Sequence, residues 1–523
     1  MSTLERSSGI LLHPTALPGP YGIGELGRHA HAWVDWLAAA GQQVWQVMPL
    51  GPTGYGDSPY QCFSAFAGNP FLISLERLEQ DGWLDQADLA AGRDLPEHRV
   101  DYGAVIEFRL AMLRRAERRF AERAGDEERE ALARFTAEQA SWLDDFALFM
   151  ALKDAHDGRP WNEWDQALRD RDEVALAAAR NRQAEAIRRH GTWQFWFDRQ
   201  WRDVRGHAAD KGISILGDLP IFIAYDSADA WANRELFFLT GDGAPSVVAG
   251  VPPDYFSATG QRWGNPLYRW KRMQERGFAW WISRFRSTLT FFDLVRVDHF
   301  RGFEAYWEIP ADEPTAERGR WVRGPGQPFF DALADALGDL PIVAEDLGVI
   351  TPEVDALREA NRLPGMKVLQ FAFAGDASDP YLPHNYQRNF VVYTGTHDND
   401  TSRGWFASAP EAERDFVRRY LACSDAEAVP ALIRAALSSV ADLAVFPLQD
   451  ALDLGSEARM NKPGQAAGNW SWRLHWDELP QWLAPHLYEL SGLYGRLGSS
   501  QTRDTPYRQS VTGGGVEDDG HPD

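Results

Sequence analysis

The stretch Leu294-Val295-Arg296-Val297-Asp298-His299-Phe300-Arg301-Gly302 opens as an apolar run and ends in charge. Its first half suits a buried strand; two arginines, an aspartate and a histidine follow within a few residues. Charge gathered at the carboxyl end of a buried strand is what a site on the rim of a parallel sheet requires. An ion pair that merely closes the strand end is the competing reading, and the rest of the chain has to separate the two.

The same texture recurs on both sides. Upstream, residues 10–13 (Ile-Leu-Leu-His) and 44–49 (Val-Trp-Gln-Val-Met-Pro) read as strands. Between them lies a helix that aligns Leu26, Ala30, Trp33, Val34 and Leu37 on one face and stops at Gly41. A strand–helix–strand unit signals a parallel sheet with helical crossovers. Residues 213–218 form a third strand ending in Asp218, a helix over about 270–289 leads into the opening stretch as the fourth, and residues 341–346, 366–371, 390–398 and 443–447 supply the fifth to eighth. Helical segments such as 352–362 and 410–421 separate them. Eight strands alternating with helices predict an α/β fold, a (β/α)8 TIM barrel, and 523 residues suit one barrel with insertions.

The insertions are legible by composition. Residues 1–72 read as the first part of the barrel, and 73–190 as a mainly helical insertion in which Leu110, Leu113, Ala116 and Phe120 share a face. Residues 191–499 complete the barrel and include a long aromatic loop at about 222–266; 500–523 read as a disordered polar tail. The segment Gly51-Pro52-Thr53-Gly54-Tyr55-Gly56-Asp57-Ser58-Pro59-Tyr60-Gln61 is a loop whose tyrosines either present a ligand platform or pack inward.

A net charge of −23 argues against nucleic acid and anionic membranes as partners. Arg114, Arg115, Arg118, Arg119 and Arg123 alternate with Glu117 and Glu122 at helical spacing, which describes a solvated helix face. Two cysteines make no disulfide framework and no metal spacing, and no apolar run is long enough to span a bilayer, so a cytoplasmic chain is expected. The 22 tryptophans suit flat ligands such as sugars, although most are expected in the core.

Asp218, Asp298, Glu345 and Asp398 each close a separate strand, and in a closed parallel barrel those ends meet on one face. Asp398-Asn399-Asp400 lacks the glycine and distal glutamate of a calcium loop, and no glycine-rich lysine loop is present for phosphoryl transfer. Glycoside chemistry, which needs a carboxyl pair beside aromatic platforms, fits. Asp298 shares a strand face with Arg296, which favours its anion and suits a nucleophile. Glu345 follows Ile342-Val343-Ala344, and an apolar setting raises a carboxyl pKa toward that of a general acid/base. Asp398, assisted by His397, is left to stabilise positive charge on the sugar or to hold its hydroxyls.

The chain resembles the amylomaltase family, the 4-α-glucanotransferases of the α-amylase superfamily. The resemblance rests on Gly22-Ile23-Gly24, Gly54-Tyr55-Gly56-Asp57-Ser58-Pro59-Tyr60, Gly217-Asp218-Leu219-Pro220-Ile221-Phe222, the loop 255–263, Val297-Asp298-His299-Phe300-Arg301-Gly302, Ala344-Glu345-Asp346-Leu347-Gly348, Gly395-Thr396-His397-Asp398-Asn399-Asp400 and Gly468-Asn469-Trp470. It implies Asp298 as nucleophile, Glu345 as acid/base and Asp398 as transition-state stabiliser, with Asp218, Arg296 and His397 binding sugar or supporting the carboxylates. It further implies glucan contacts from Ser58, Tyr60, Tyr255, Phe256, Trp263 and Asn469. Gly302 stands where α-amylases carry a histidine four residues after the nucleophile, so that role does not transfer. The implied enzyme is cofactor-free, without a separate C-terminal β-domain, and acts on α-1,4-glucans and maltooligosaccharides of starch or glycogen; no metal is expected, and the oligomeric state is left open, with a monomer as the first expectation. It transfers a glucan segment to an acceptor 4-hydroxyl by retaining double displacement; an α-1,4-glucan hydrolase is the alternative.

Overall fold

Phe390-Val391-Val392-Tyr393 and Leu443-Ala444-Val445-Phe446-Pro447 contain no charge and every residue in them is buried, the signature of strands covered on both faces. The computed structural model describes residues 4–253, 257–465 and 467–498. Twelve strands run in chain order among them: β1 Ser7–Leu11, β2 Val44–Gln46, β3 Ser214–Pro220, β4 Val247–Val251, β5 Gln261–Pro266, β6 Leu294–Asp298, β7 Ala305–Pro310, β8 Arg320–Arg323, β9 Ile342–Ala344, β10 Gly365–Val368, β11 Phe390–Tyr393 and β12 Leu443–Pro447.

Eight of these pair in parallel in the order β10-β11-β12-β1-β2-β3-β6-β9. The seam between β9 and β10 is drawn together by Ala344 N–H on Pro364 O at 2.8 Å and Met366 N–H on the Asp346 carboxylate at 2.6 Å. This is the (β/α)8 barrel that the strand count predicts. Its core takes up most of the large aromatics, with Trp33, Trp45, Trp161, Trp201, Trp231 and Trp281 all fully buried.

The strand ends differ from expectation in ways that matter for the site. β3 runs on to Pro220, so Asp218 lies inside the strand and not at its end. β9 stops at Ala344 and β11 at Tyr393, which leaves Glu345 as the first residue beyond its strand and Asp398 on the following loop. The sixth strand gives way after Val368 to the 3-10 turn Leu369–Phe371.

Residues 222–266 are not one long loop. They contain β4 and β5, which join β7 and β8 in an antiparallel sheet of order β5-β4-β7-β8. The barrel connections before and after β6 each donate two strands to it. Only the β4–β7 pairing is long-range, while β4–β5 and β7–β8 are hairpins, and Gln261-Arg262-Trp263-Gly264-Asn265-Pro266 shows no period-2 hydrophobic alternation to announce its hairpin. The helix expected over 270–289 is two, Trp270–Glu275 and Ala279–Phe291, parted at Phe278 by a left-handed φ of 53°.

The β2–β3 connection carries the charged helices. Tyr102–Arg123 is capped by Asp101, whose carboxylate accepts from Ala104 N–H at 3.2 Å, and buries Val105, Met112, Leu113, Ala116 and Phe120. Helix Ala184–Asp210 runs straight through residue 190, so the insertion and the barrel share it. The tail 500–523 lies outside the described residues.

Candidate active site

β3 and β6 pair with Asp218 opposite Arg296 and Pro220 opposite Asp298. The two-residue period puts Arg296 and Asp298 on one face of β6. Arg296 then reaches both acids: Nη1 donates to Asp218 Oδ2 at 2.6 Å and Nη2 pairs with Asp298 Oδ1 at 2.9 Å. Burial pulls the guanidinium pKa down, but Asp218 and Asp298 outweigh it and hold it well above the usual value. Burial also raises the Asp218 pKa, against the pull of Arg296. The Asp218 and Arg296 side chains are 1% and 5% exposed, whereas Asp298 is 30% exposed. Of the three, Asp298 alone faces open space; Arg296 holds it, and Asp218 holds Arg296.

β9 lies on the other side of β6, with Val297 opposite Ala344, and so delivers Glu345 next to Asp298. The Glu345 carboxylate accepts from His299 N–H at 2.7 Å and Leu347 N–H at 2.9 Å. His299 can offer its amide there because it adopts a left-handed φ of 52°, a conformation that costs a non-glycine residue about 1 kcal/mol. Burial pushes the Glu345 pKa up to about 7; Arg296 opposes this, the Asp298 charge adds to it, and the two amide bonds moderate it. The buried His299 ring is kept neutral, its pKa lowered to about 4 by desolvation, and meets Trp263 edge-on with centroids 4.9 Å apart.

The third carboxylate arrives on the loop after β11. Tyr60 Oη donates to Asp218 Oδ2 at 2.9 Å and lies 2.9 Å from His397 Nε2. With the phenolic proton committed to Asp218, His397 Nε2 must carry its own proton and donate to Tyr60. The same nitrogen pairs with Asp398 Oδ1 at 3.4 Å. Tyr60, His397 and the buried Trp470 pack ring against ring, at 5.2 Å for the first pair and 5.8 Å for the second.

Two residues that sequence reasoning missed complete this corner. Asn461 Nδ2 donates to Asp398 Oδ1 at 2.6 Å, and its backbone N–H donates to His397 O at 3.2 Å. Arg459 holds the Asp398 carbonyl at 2.6 Å and the Asn461 carbonyl at 2.8 Å. Neither sits at a strand end, so no local pattern marks them. Asn469 instead fastens its own loop, accepting from Lys462 N–H at 2.9 Å and donating to Gln465 O at 2.8 Å. Ser58 shapes the turn before Tyr60, whose N–H its hydroxyl accepts at 3.3 Å. Trp263 sits on β5 against His299, while Tyr255 and Phe256 lie outside the described residues. Among the described residues, no three His, Cys, Asp or Glu side chains are grouped to hold a metal ion.

The arrangement is a pair of neighbouring carboxyl groups in opposite environments, one beside a guanidinium and one desolvated, with a third acid across the rim. Such a set can attack an acetal carbon, move a proton at its oxygen and stabilise the charge that develops between them.

A family model described as 4-alpha-glucanotransferase matches residues 12–479. The 4-alpha-glucanotransferase of Thermus thermophilus is 55% identical over 490 residues, covering 92% of this chain and 96% of that protein. The chloroplastic/amyloplastic 4-alpha-glucanotransferase of Solanum tuberosum is 46% identical, covering 94% and 87%. Among solved structures, an amylomaltase from Streptococcus agalactiae in complex with acarbose superposes with a TM-score of 0.92 at 38% identity, covering 94% of this chain and all of that one.

Proposed function

The chain belongs to the 4-alpha-glucanotransferase family, and from that membership we propose how its own residues carry the transfer. It is a glycosyltransferase acting on α-1,4-glucans. Asp298 is the nucleophile: it attacks the anomeric carbon of the donor while protonated Glu345 gives its proton to the leaving glycosidic oxygen. The departing glucan leaves with that proton, and the remaining segment is held as an ester on Asp298. Glu345, now a carboxylate, takes the proton from an incoming 4-hydroxyl, whose oxygen displaces Asp298 and re-forms an α-1,4 bond. Two inversions at one carbon retain its configuration, with carboxyl groups about 5–5.5 Å apart in enzymes of this type.

The observation that carries the assignment is the opposed setting of the pair. Asp298 is ion-paired with Arg296 at 2.9 Å, and desolvation keeps Glu345 at a pKa of about 7, able to give and take a proton near neutrality. Asp398, fixed by Asn461 and His397, faces the charge that develops on the sugar. Asp218 and Arg296 support the nucleophile from behind, and we assign glucan contacts to Ser58, Tyr60, Trp263, Tyr255, Phe256 and Asn469, as the family resemblance implies. No helix among the described residues is long and apolar enough to cross a membrane, and both cysteines are free. We read the enzyme as a cytoplasmic monomer; sedimentation of the purified chain tests the oligomeric state, and fractionation of the source cell tests the location.

Maltotriose is the discriminating substrate. Wild type is expected to give glucose and a ladder of longer chains with little net gain of reducing ends. Asp298→Asn and Glu345→Gln should each lose about 10⁴-fold in kcat with the fold intact; near-normal rates in either variant would overturn its role.

A further inference from the structure

Away from the barrel rim lies a cavity of about 310 Å³ between the insertion helix Ala140–Ala155 and the helix Ala279–Phe291 that packs behind β6. None of Asp298, Glu345 or Asp398 lines it. Its volume falls at the lower end of the range of small-molecule sites, about 300–1,000 Å³.

Four aromatics line it, Phe66, Trp142, Phe278 and Trp280, and three of them pack against one another. Phe66 and Trp142 are near parallel, at 12° with centroids 6.4 Å apart, and Trp280 stands on Phe66 at 85° and 6.1 Å. Together they make an apolar floor and wall for a flat-faced molecule. The charged groups around them are engaged elsewhere: Asp145 is paired with Arg171 at 2.6 Å, Arg276 with Glu235 at 2.7 Å, and Asp229, also in the lining, accepts from Ala65 N–H at 2.8 Å. The hydroxyls of Ser141 and Ser283 and the amide of Asn233 add both donors and acceptors. Apolar faces combined with two-way hydrogen bonding from hydroxyl, amide and carboxylate groups suit an uncharged polyhydroxyl ligand with a C–H face, which is a pyranose.

We propose that this cavity is a second saccharide site, taking a glucose unit, or two in a short maltooligosaccharide, apart from the catalytic rim. Its position links it to the chemistry. The short helix Ala228–Ala232 forms part of its lining, and the same helix pins the segment after Tyr60: Asp229 accepts from Ala65 N–H at 2.8 Å and Ala228 N–H donates to Phe63 O at 2.9 Å. A sugar in the cavity rests on the clamp that sets the Tyr60 loop, and Tyr60 in turn bonds Asp218 and His397. The enzyme's own small-sugar product is thereby placed to steady the acceptor side of the cleft.

The test is equilibrium dialysis of labelled glucose against the full chain, since glucose alone provides no donor for transfer. Wild type is compared with Trp142→Ala, which removes the outer platform, and Ser283→Trp, which fills the cavity. Both variants should bind one glucose fewer per chain than wild type, while keeping the initial rate of transfer from dilute maltotriose. The opposite designs guard against misfolding, because one removes volume and the other adds it. An unchanged glucose count in both variants, or a wild-type chain that binds no glucose the variants lose, overturns the proposal.

Discussion

Helix Tyr102–Arg123 and strand β6 use the same charged residue types to different ends. The helix carries Arg114, Arg115, Arg118, Arg119 and Arg123, far more charge than β6, yet these side chains lie on an exposed or half-exposed face where Arg115 and Arg119 meet Asp88. β6 carries one guanidinium, Arg296, buried between Asp218 and Asp298. Exposed pairs are worth about 0–1 kcal/mol, whereas breaking a buried one costs about 3–5 kcal/mol because it strands a charge. Density of charge does not mark the working part of this molecule, and burial alone does not either, since Arg109 of the same helix pairs with Glu25 out of solvent at 2.7 Å; what sets β6 apart is one buried guanidinium shared by two carboxylates, one of them open to the barrel rim.

The sharpest way to break the contrast is Arg296→Met. It leaves Asp218 and Asp298 facing one another without a cation, so stability should fall by about 3–5 kcal/mol and kcat by about 10²–10³-fold. Denaturant unfolding and maltotriose turnover measure the two. Loss of activity with unchanged stability would mean that the buried site is no more constrained than the helix surface.

Glu345 supplies the next test. Its folded pKa of about 7 lies above the 4.5 of an unperturbed side chain, so between those values the folded state holds more protons than the unfolded one. The group therefore costs nothing below pH 4.5, and stability falls as pH rises toward 7. Glu345→Gln should abolish transfer yet raise stability at neutral pH by up to about 3 kcal/mol, at about 1.4 kcal/mol per pH unit. Thermal unfolding across pH checks this, with the gain absent near pH 4. In the wild type, kcat/KM for the donor should decline above about pH 7, where the proton for the leaving oxygen is lost.

How much of this was legible in the sequence follows the range of the interactions. The barrel strands declare themselves because each is a local apolar run, and the acids Asp298 and Glu345 because each directly follows or closes one. The antiparallel sheet of β4, β5, β7 and β8 was hidden because its two hairpins lack a clean hydrophobic alternation and are joined only by the β4–β7 pairing across the β6 excursion. Asp218 looked like a strand end because Gly217-Asp218 resembles a stop, whereas β3 continues through Leu219-Pro220 under the pairing of β6. Asn461 was invisible and Asn469 conspicuous for the same reason: one acts at long range on Asp398, and the other sits in a recognisable motif but bonds its own loop.

Asn461 accordingly gives a smaller, graded effect. Asn461→Ala removes one bond to Asp398, a net change of about 1.5–3 kcal/mol for a charged acceptor. If Asp398 acts mainly on the transition state, the loss should appear as about tenfold or more in kcat with little change in KM. An equal rise in KM with kcat kept would instead make Asn461 a groove residue for the bound glucan.

At the far end of the scale stands Arg118→Ala on the insertion helix. Arg118 is exposed, and removing an exposed charge away from any cap, core or network changes stability by less than about 0.5 kcal/mol. Alanine's better helix propensity offsets part of even that. Transfer rates should match wild type at every maltotriose concentration. The value of this variant lies in its pairing with Arg296→Met: both delete one arginine and change net charge by the same amount. A measurable kinetic defect in Arg118→Ala would mean that the field of the whole acidic chain, and not the local desolvation of β6, sets the behaviour of the carboxylates. Indifference to Arg118 beside collapse on loss of Arg296 assigns that control to the two carboxylates Arg296 touches.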